Sequence, residues 1–407
     1  MDTNWIINTI GQLANIGDGE RGITRLAFSD EERRAKEYAA ELMRQAGLSV
    51  RFDAIGNVIG RLEGTDSTAK VVLTGSHLDT PPDGGKYDGV VGVVGGLAAI
   101  KELMARGPLT LPVELVVFTA EESSRFGYAT IGSKVMTGLT NASSWNRVKD
   151  QTGLTLKQIV KDSGLNLAEI KGAVRNRDAI QAFVELHIEG GPYLERYRHS
   201  IGIVEAIAAP TRLRILIEGQ AAHSGSTPMD ERKDALVSAA MIVLAVQDIA
   251  MEHAHQGTVG TVGIMRVYPN AMNVVPGRVE MGVDIRGVDH ASIIDTIQDL
   301  KDAISTIADG QDTPISIDVL ASEKPVKLDD SIALTVEGVC NDLGLKYSRM
   351  PSRAGHDTMN MAKIAPAGLI FIPCHKGISH NIEEYAAPED IVNGINVLTE
   401  TLYKLAK

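Results

Sequence analysis

The sequence has few cysteines, no excess of basic charge and no long apolar run, and each shortage excludes a class of protein. Its two cysteines, Cys340 and Cys374, make a disulfide framework unexpected and are consistent with a reducing compartment. Forty basic against 52 acidic residues leave a formal charge of −12, which argues against nucleic acid or an anionic membrane as the main partner. The first residues lack the leader of a signal peptide, and no apolar run approaches the ~20 residues that span a bilayer. We therefore expect a cytoplasmic protein.

The order of predicted elements indicates two domains, one inserted in the other. At 407 residues the chain is long enough for two buried cores. A capping box at Ser29 and Glu32 opens an early helix, after which strands and helices alternate, as in an α/β domain with a mostly parallel sheet covered on both faces. Residues 209–323 instead follow the ferredoxin-like order βαββαβ. We expect a catalytic domain of residues 1–208 and 324–407 around this insertion.

Five candidate metal ligands occur in five separate motifs, most of them directly after an apolar run that predicts a buried strand. They are His77 in VVLTGSHLDT, Asp88 in GGKYDGVVG, Glu122 in VVFTAEESSRFG, His187 in FVELHIEGG and His380 in GISHN. The exits of strands in α/β sheets form the crevice where ligands bind, and imidazole nitrogens and carboxylate oxygens are ligands of zinc-type ions. Three histidines and two carboxylates suit a pair of ions better than one, so the set predicts a two-metal hydrolase.

Asp88 is the natural bridge between two ions. It lies in a glycine-rich turn that allows close approach of the backbone. In this arrangement His77 and His187 complete the site of one ion, and Glu122 and His380 complete the site of the other.

Two further carboxylates in these motifs suggest catalytic roles. A two-metal hydrolase needs a general base beside the ligands, and adjacent glutamates such as Glu121 and Glu122 can divide the work. Glu121 is the expected base, although the residues alone leave open which glutamate binds metal. Asp79, two residues beyond His77, is expected to hold that imidazole in the required tautomer.

Each of these residues has an ordinary alternative explanation. A single histidine at a strand end is most often structural or solvated, and a pair of glutamates is usually part of a wet loop. Asp88 alone would be interpreted as a helix N-cap. Only the joint occurrence of the motifs, in this order and at strand exits, favours a metal site.

Three polar residues of the insertion have the properties that a substrate lid needs. His223 lies in a Gly/Ser-rich turn, Asn273 precedes Pro276, and Arg286 ends a strand on its polar face. Taken singly, they are a surface histidine, a turn cap and a solvated charge. Together they offer a donor for a developing oxyanion and a fork for a carboxylate.

The motifs resemble those of a known family. GSHLDTPPDGGKYDGVVGV, TAEESSRFG, ELHIEGGPYLE, AHSGSTPM, NVVPGRVE, AGHDTMNMA and GISHNIEEY are similar to motifs of the M20 metallopeptidase clan, and more narrowly of its amidase/hydantoinase/carbamoylase branch. That branch contains N-carbamoyl-L-amino-acid hydrolases, allantoate amidohydrolases and β-ureidopropionases. The matching motifs extend from about residue 75 to about residue 385, in order.

The resemblance implies a cofactor of two divalent ions and assigns their ligands. Zinc is the expected metal, and manganese, cobalt or nickel suit the same donors. The implied ligands are His77, Asp88 and His187 for one ion, and Asp88, Glu122 and His380 for the other. Glu121 becomes the acid/base.

The resemblance also implies a homodimer in which the insertion is both lid and interface. Arg286 then pairs with the α-carboxylate of a small-molecule substrate, which Asn273 also contacts. His223 stabilises the oxyanion in the neighbouring subunit's site. His356, in AGHD, matches a further position of the pocket.

Two departures from the branch pattern concern the substrate. The chain has HIEGG where the branch usually has HIEQG, so Gly190 replaces an amide expected near a carbamoyl or ureido group. It has SRAGHD where the branch usually has SGAGHD, which places Arg353 beside the pocket. A guanidinium there favours a second anionic group or pairs with a nearby carboxylate.

The predicted reaction is metal-assisted hydrolysis of a C–N bond in an N-carbamoyl or related ureido or N-acyl L-amino acid. The alternative within the same fold is an aminoacylase or a dipeptidase. A rival of another class is a catalytically silent binding module. The presence of all five ligands and Glu121 argues against that rival.

Overall fold

The computed structural model describes residues 1–66, 68–140 and 142–407. The chain is divided into two compact units. The first unit comprises residues 1–205, 328–352 and 356–407, and the second comprises residues 206–327 and 353–355.

Strands and helices alternate along only part of the chain, because several strands follow one another without an α-helix between them. The strands are β1 (Ser49–Phe52), β2 (Val58–Leu62), β3 (Val71–His77), β4 (Val113–Phe118), β5 (Ile180–Ile188), β6 (Ile201–Ile207), β7 (Ala209–Glu218), β8 (Ala222–His223), β9 (Val259–Tyr268), β10 (Val274–Val275), β11 (Arg278–Gly287), β12 (Ile315–Ser322), β13 (Val326–Lys327), β14 (Tyr347–Ser352) and β15 (Ala367–Ile372). The helices are α1 (Thr3–Ala14), α2 (Asp30–Gln45), α3 (Val90–Arg106), α4 (Ile131–Met136), α5 (Leu156–Asp162), α6 (Tyr193–Tyr197), α7 (Ala235–Glu252), α8 (His290–Gln311), α9 (Asp330–Asp342), α10 (Thr358–Met361) and α11 (Pro388–Ala406).

The first unit contains a mixed sheet, with strand order β1-β2-β4-β3-β5-β15-β6. The four strands β4, β3, β5 and β15 are parallel, whereas β1, β2 and β6 pair antiparallel. The prediction of a mostly parallel sheet therefore describes only its centre. The reason is local at one edge, where only residues 53–57 join β1 to β2. So short a link can connect only antiparallel neighbours.

The central strands are buried on both faces of the sheet. Every residue of β3 and β4 is buried, as expected where helices cover both sides. Val72 contributes to a core cluster with α1, α2, α3, α9 and α11, whereas its neighbours Val71 and Leu73 contribute to a cluster with Met136 and Met361 on the other face. Because side chains alternate along a strand, one apolar run supplies both cores.

The second unit is a four-stranded antiparallel sheet with two long helices. Its elements β7, α7, β9, β11, α8 and β12 follow the βαββαβ order, and the strands lie in the order β12-β7-β11-β9. Residues of β11 are alternately buried and partly exposed. The buried set, Val279, Met281, Val283 and Ile285, packs in one cluster with residues of α7 and α8.

Helix α7 is unusually apolar. By length and composition alone, α7 is long and apolar enough to cross a membrane: its 18 residues have a mean hydropathy of 1.7. In this structure, 33% of these residues are buried. A helix in the core of a domain passes the same test, and Ala239, Ile242 and Val246 of α7 are buried in the core of the second unit.

Candidate metal centre

The candidate ligands of the first unit meet at the carboxyl edge of its central strands. His77 is the last residue of β3, and His187 lies one residue before the end of β5. Glu121 and Glu122 follow β4, and His380 follows β15. These four strands are parallel, so their carboxyl ends lie at one edge of the sheet. The rings of His77 and His187 stack with centroids 5.7 Å apart.

Asp88 lies at the centre of this group, and each of its carboxylate oxygens faces a different set of partners. Oδ1 lies 3.0 Å from Nε2 of His187 and 3.9 Å from Nε2 of His77. Oδ2 lies 2.9 Å from Nε2 of His380, which is in turn 3.1 Å from Oε1 of Glu122. Potential ligand atoms therefore form two triads, each within 4.8 Å, that share Asp88: one with His77 and His187, the other with Glu122 and His380.

The backbone around Asp88 leaves its carboxylate free for this contact. Gly89, not Asp88, is the N-cap residue of α3, so the interpretation of Asp88 as a helix cap is wrong. Gly89 has a φ of +66°, and a Cβ there would lie 2.6 Å from Nε2 of His77. Only glycine permits this close approach of the turn to the imidazole.

The carboxylate of Asp79 positions both glutamates. It accepts hydrogen bonds from the backbone N–H of Glu121 at 3.0 Å and of Glu122 at 2.9 Å. The expected contact with His77 is made instead by the Asp79 carbonyl, 3.1 Å from Nδ1, because the carboxylate oxygen is 3.6 Å away. At 3.6 Å that carboxylate does not make a hydrogen bond to the ring. Asp79 thus orients the imidazole through its backbone and the glutamate turn through its side chain.

Sequence reasoning missed the role of Glu32. Its backbone N–H bonds to the Ser29 side chain at 3.2 Å, which confirms half of the capping box. Its carboxylate accepts from Phe28 N at 2.5 Å and from Ala120 N at 3.1 Å. Ala120 has a φ of +55°, a strained conformation for a residue with a side chain, so Glu32 supports the turn that leads into Glu121. The S-x-x-E pattern does not predict this contact between Glu32 and Ala120, because the two residues lie 88 positions apart in the sequence.

Burial and crowding shift the ionisation of the clustered groups. Burial, followed by the nearby Glu122 carboxylate, holds the pKa of Glu121 well above its ordinary value, against the opposing effect of His77. Hydrogen bonds that the His380 ring donates to Asp88 and then to Glu122 raise the pKa of His380 to about 11. Burial also raises the pKa of Glu122, so keeping both adjacent glutamates ionised costs free energy unless a cation lies beside them. The donor set therefore fits divalent metal ions, because a bound cation stabilises the ionised form of nearby carboxylates.

His356 lies beside the two triads. Its buried ring is 4.5 Å from that of His187, and its Nε2 is 3.1 Å from Oγ of Ser352. Burial, with the neighbouring His187, lowers the pKa of His356 well below its ordinary value. His356, His187 and Glu185 form a third group of potential ligand atoms. Within this group, Glu185 accepts a hydrogen bond from the Ser76 hydroxyl at 2.9 Å.

The two departures from the branch pattern are both exposed. Gly190 has a φ of +62°, and a Cβ there would lie 3.7 Å from Cβ of Ser379, an ordinary contact. Space for a side chain therefore exists, although the backbone conformation favours glycine. Arg353 is exposed and belongs, with residues 354 and 355, to the second unit.

The polar residues of the second unit do not all lie together. His223 in β8 pairs with Val274 in β10, and Ser224 N donates to the carbonyl of Asn273 at 3.0 Å. Both His223 and Asn273 are exposed. Arg286 lies at the far end of β11 from these loops, where its Nε donates to Asp284 at 2.9 Å. The eight residue-to-residue steps from Arg278 to Arg286 span about 26 Å in an extended strand.

Comparison with known proteins places the chain in a family. Residues 73–404 match Peptidase family M20/M25/M40. The chain is 38% identical to a ureidoglycolate hydrolase of Oryza sativa subsp. japonica, over 100% of this chain and 85% of the rice protein. It is also 38% identical to an N-carbamoyl-L-amino acid amidohydrolase of Geobacillus stearothermophilus, over 95% of this chain and 94% of the other.

A solved structure agrees with these similarities. A hydantoinase/carbamoylase family amidase of Burkholderia multivorans superposes with a TM-score of 0.90 at 36% identity, covering 100% of this chain and 98% of the other. These findings confirm the resemblance seen in the motifs and the mixed α/β fold. The chain belongs to Peptidase family M20/M25/M40 and is a hydrolase of carbon–nitrogen bonds.

Proposed function

We propose that this protein is a dinuclear metal-dependent amidohydrolase acting on N-carbamoyl-L-amino acids or related ureido or N-acyl amino acids. The observation that carries the proposal is the placement of Asp88, whose two oxygens face two separate sets of donors. The substrate class is supported by relatives that are named N-carbamoyl-L-amino acid amidohydrolase, allantoate amidohydrolase and ureidoglycolate hydrolase.

The proposed ligands are those of the two triads. His77, Asp88 and His187 hold one ion, and Asp88, Glu122 and His380 hold the other, with zinc expected and manganese, cobalt or nickel suited to the same donors. When bound, such a pair polarises the scissile carbonyl and makes water a nucleophile at neutral pH.

Glu121 is the proposed acid/base. Its carboxylate lies outside both triads, whereas that of Glu122 belongs to one of them. This difference supports Glu121 as base and Glu122 as ligand. A raised pKa suits a group that first takes the proton of the attacking water and then returns it to the leaving nitrogen. The C–O bond forms first and the C–N bond then breaks, so a carbamoyl substrate yields the amino acid and carbamate, which decomposes to carbon dioxide and ammonia.

The second unit is proposed as a lid whose residues serve two sites. Arg286 pairs with the substrate carboxylate, whereas Asn273 lies beside His223 and contacts the substrate together with His223, which stabilises the oxyanion. Arg286 and the loops carrying His223 lie at opposite ends of β11, about 26 Å apart, which is too far for one small substrate to contact both within one chain. We therefore propose that His223 acts in the neighbouring subunit of a homodimer.

A surface of the second unit supports this dimer. Helix α7 exposes apolar side chains, and β9 is an edge strand with exposed residues of its own. The exposed residues are Val237, Met241, Leu244 and Met251 on α7, and Val259, Ile264, Met265 and Tyr268 on β9. An apolar patch beside an open strand edge is a typical surface for self-association. A cytoplasmic location is also proposed, on the basis of two free, buried cysteines.

Complementation between subunits tests the shared site. We expect His223→Ala and Glu121→Gln homodimers both to be inactive, because each lacks one essential group in both sites. A mixed dimer has one complete site, so random exchange of equal amounts should restore about a quarter of wild-type activity. The assay is turnover after co-refolding, with co-expressed wild type as control. Absence of any recovery would place His223 and Glu121 in the same chain's site.

Release of ammonia tests the substrate class. Zinc-loaded protein is offered N-carbamoyl, ureido, N-acyl and dipeptide substrates that share one amino acid. We expect ammonia from the carbamoyl or ureido members, and the Glu121→Gln variant controls for contaminating activity. Hydrolysis of only the acyl or dipeptide members, without ammonia, would favour an aminoacylase or dipeptidase. Turnover of no member by the loaded protein would favour a silent binding module.

A further inference from the structure

The side chain of Glu384 is the meeting point of two loops that carry proposed metal ligands. On one side, Oε1 accepts hydrogen bonds from the backbone N–H groups of Tyr87 at 2.8 Å and Asp88 at 3.0 Å. On the other side, Oε2 accepts from Oγ of Ser379 and from the backbone N–H of His380, both at 3.3 Å. Glu384 is only 3% exposed, so these contacts form away from bulk water.

The loop before α3 is built to admit this carboxylate. A Cβ at Gly85 would lie 2.2 Å from Cδ of Glu384, closer than any real contact between such atoms. Glycine is therefore required at this position by the presence of Glu384. The requirement links position 85 to a residue almost three hundred positions later in the chain.

The other loop contains a strained residue that Glu384 supports. His380 has a φ of +55°, in the left-handed region that costs a residue with a side chain free energy. Its N–H is held by Oε2 of Glu384, and its ring reaches Asp88 at 2.9 Å. A backbone in this conformation persists only where its surroundings fix it.

We infer that Glu384 is a positioning residue that sets Asp88 and His380 at the separation required by the second ion. The inference rests on the dinuclear site proposed above. His77 and His187 lie on the regular strands β3 and β5, so their positions do not depend on Glu384. Asp88 and His380 lie in loops, and four hydrogen bonds to one carboxylate connect those loops. Loss of the carboxylate should therefore weaken the ion of Asp88, Glu122 and His380 more than the ion of His77 and His187.

Titration with zinc tests this asymmetry. The variants are Glu384→Ala, Glu384→Gln and Gly85→Ala, of which the last displaces the carboxylate without removing it. Glu114→Gln is the matched control, because Glu114 is equally buried. Its carboxylate accepts hydrogen bonds from Arg61 and Arg175 at the end of β4 opposite to the candidate ligands. Calorimetry measures the affinity of each ion, and circular dichroism and thermal unfolding check the fold. The absorption spectrum of cobalt-loaded protein reports the geometry of the ligands.

We expect wild type and Glu114→Gln to bind two ions with similar affinities. In Glu384→Ala and Gly85→Ala the second ion should bind about 10–100-fold more weakly and the first nearly normally. Glu384→Gln should lie between, since one amide oxygen can still accept while its NH₂ group faces donors. Excess zinc should restore turnover to the variants, which a loss of folding would not allow.

The failures of the inference and of the proposed function are distinguishable. If wild type itself binds no pair of ions, the proposed function is wrong. If wild type binds two ions and the Glu384 variants bind both ions with wild-type affinity, the inference is wrong. Should Glu384→Ala not fold, an unchanged second ion in Glu384→Gln and Gly85→Ala would overturn it as well.

Discussion

Glu121→Gln should leave two metal ions bound and lower kcat by about 10²–10⁴-fold, the usual contribution of a general acid/base. Glutamine keeps the shape and the backbone bond from Glu121 N to Asp79, but it can neither take the proton of the attacking water nor return it to nitrogen. The carboxylate of Glu121 lies 3.8 Å from Nε2 of His77, outside both ligand triads. Removing its charge should therefore leave metal binding intact.

The matched variant is Glu122→Gln on the adjacent residue. Both glutamates are buried, and both backbone N–H groups bond to Asp79, so the two variants differ mainly in the role of the side chain. Glu122→Gln should lose affinity for one ion, because Glu122 contacts His380 within a triad. Metal content and kcat are measured on both proteins. The reverse result, with metal lost from Glu121→Gln and kept in Glu122→Gln, would show that the two roles are exchanged.

Asp88→Asn should abolish activity and reduce the affinity for both ions. Asp88 belongs to both triads, and each of its oxygens contacts a different imidazole. An amide retains one weaker oxygen donor and carries no negative charge, so neither ion keeps its full set of ligands. We expect turnover at background and fewer than about one zinc per chain, given that metal sites depend on complete donor sets.

His380→Ala and His187→Ala are the controls for this prediction. Each of these histidines belongs to one of the two triads that contain Asp88, so each variant should lose one ion and keep the other. Elemental analysis after removal of loosely bound zinc counts the ions. An Asp88→Asn protein that still holds two ions per chain would contradict the bridging role of Asp88.

The sequence could predict which candidate ligands lie together, because most of these residues follow apolar strands. Parallel strands end at a common edge, so His77, His187 and the glutamates after β4 had to come together once the strands were recognised. The same rule could not reveal the antiparallel edge strands. At one edge, the antiparallel pairing of β1 with β2 depends on the short link at residues 53–57 rather than on the apolar pattern.

The supporting residues could not be predicted in the same way. Glu32, Asp79 and Glu384 act through hydrogen bonds to backbone N–H groups of residues far away in the chain or across a turn. A backbone acceptor site leaves no trace in residue type, because every residue except proline offers an N–H. The glycine at position 85 records the contact made by Glu384, but its partner becomes visible only in the folded chain.

The most direct test of the account is the location of metal in crystals of the zinc-loaded protein. Anomalous scattering at the zinc edge should show two ions per chain, one contacting His77 and His187, the other Glu122 and His380, with Asp88 between them. Elemental analysis of the same protein should count about two ions per chain, as a dinuclear hydrolase requires. A single ion, or zinc bound only at other side chains, would contradict the account.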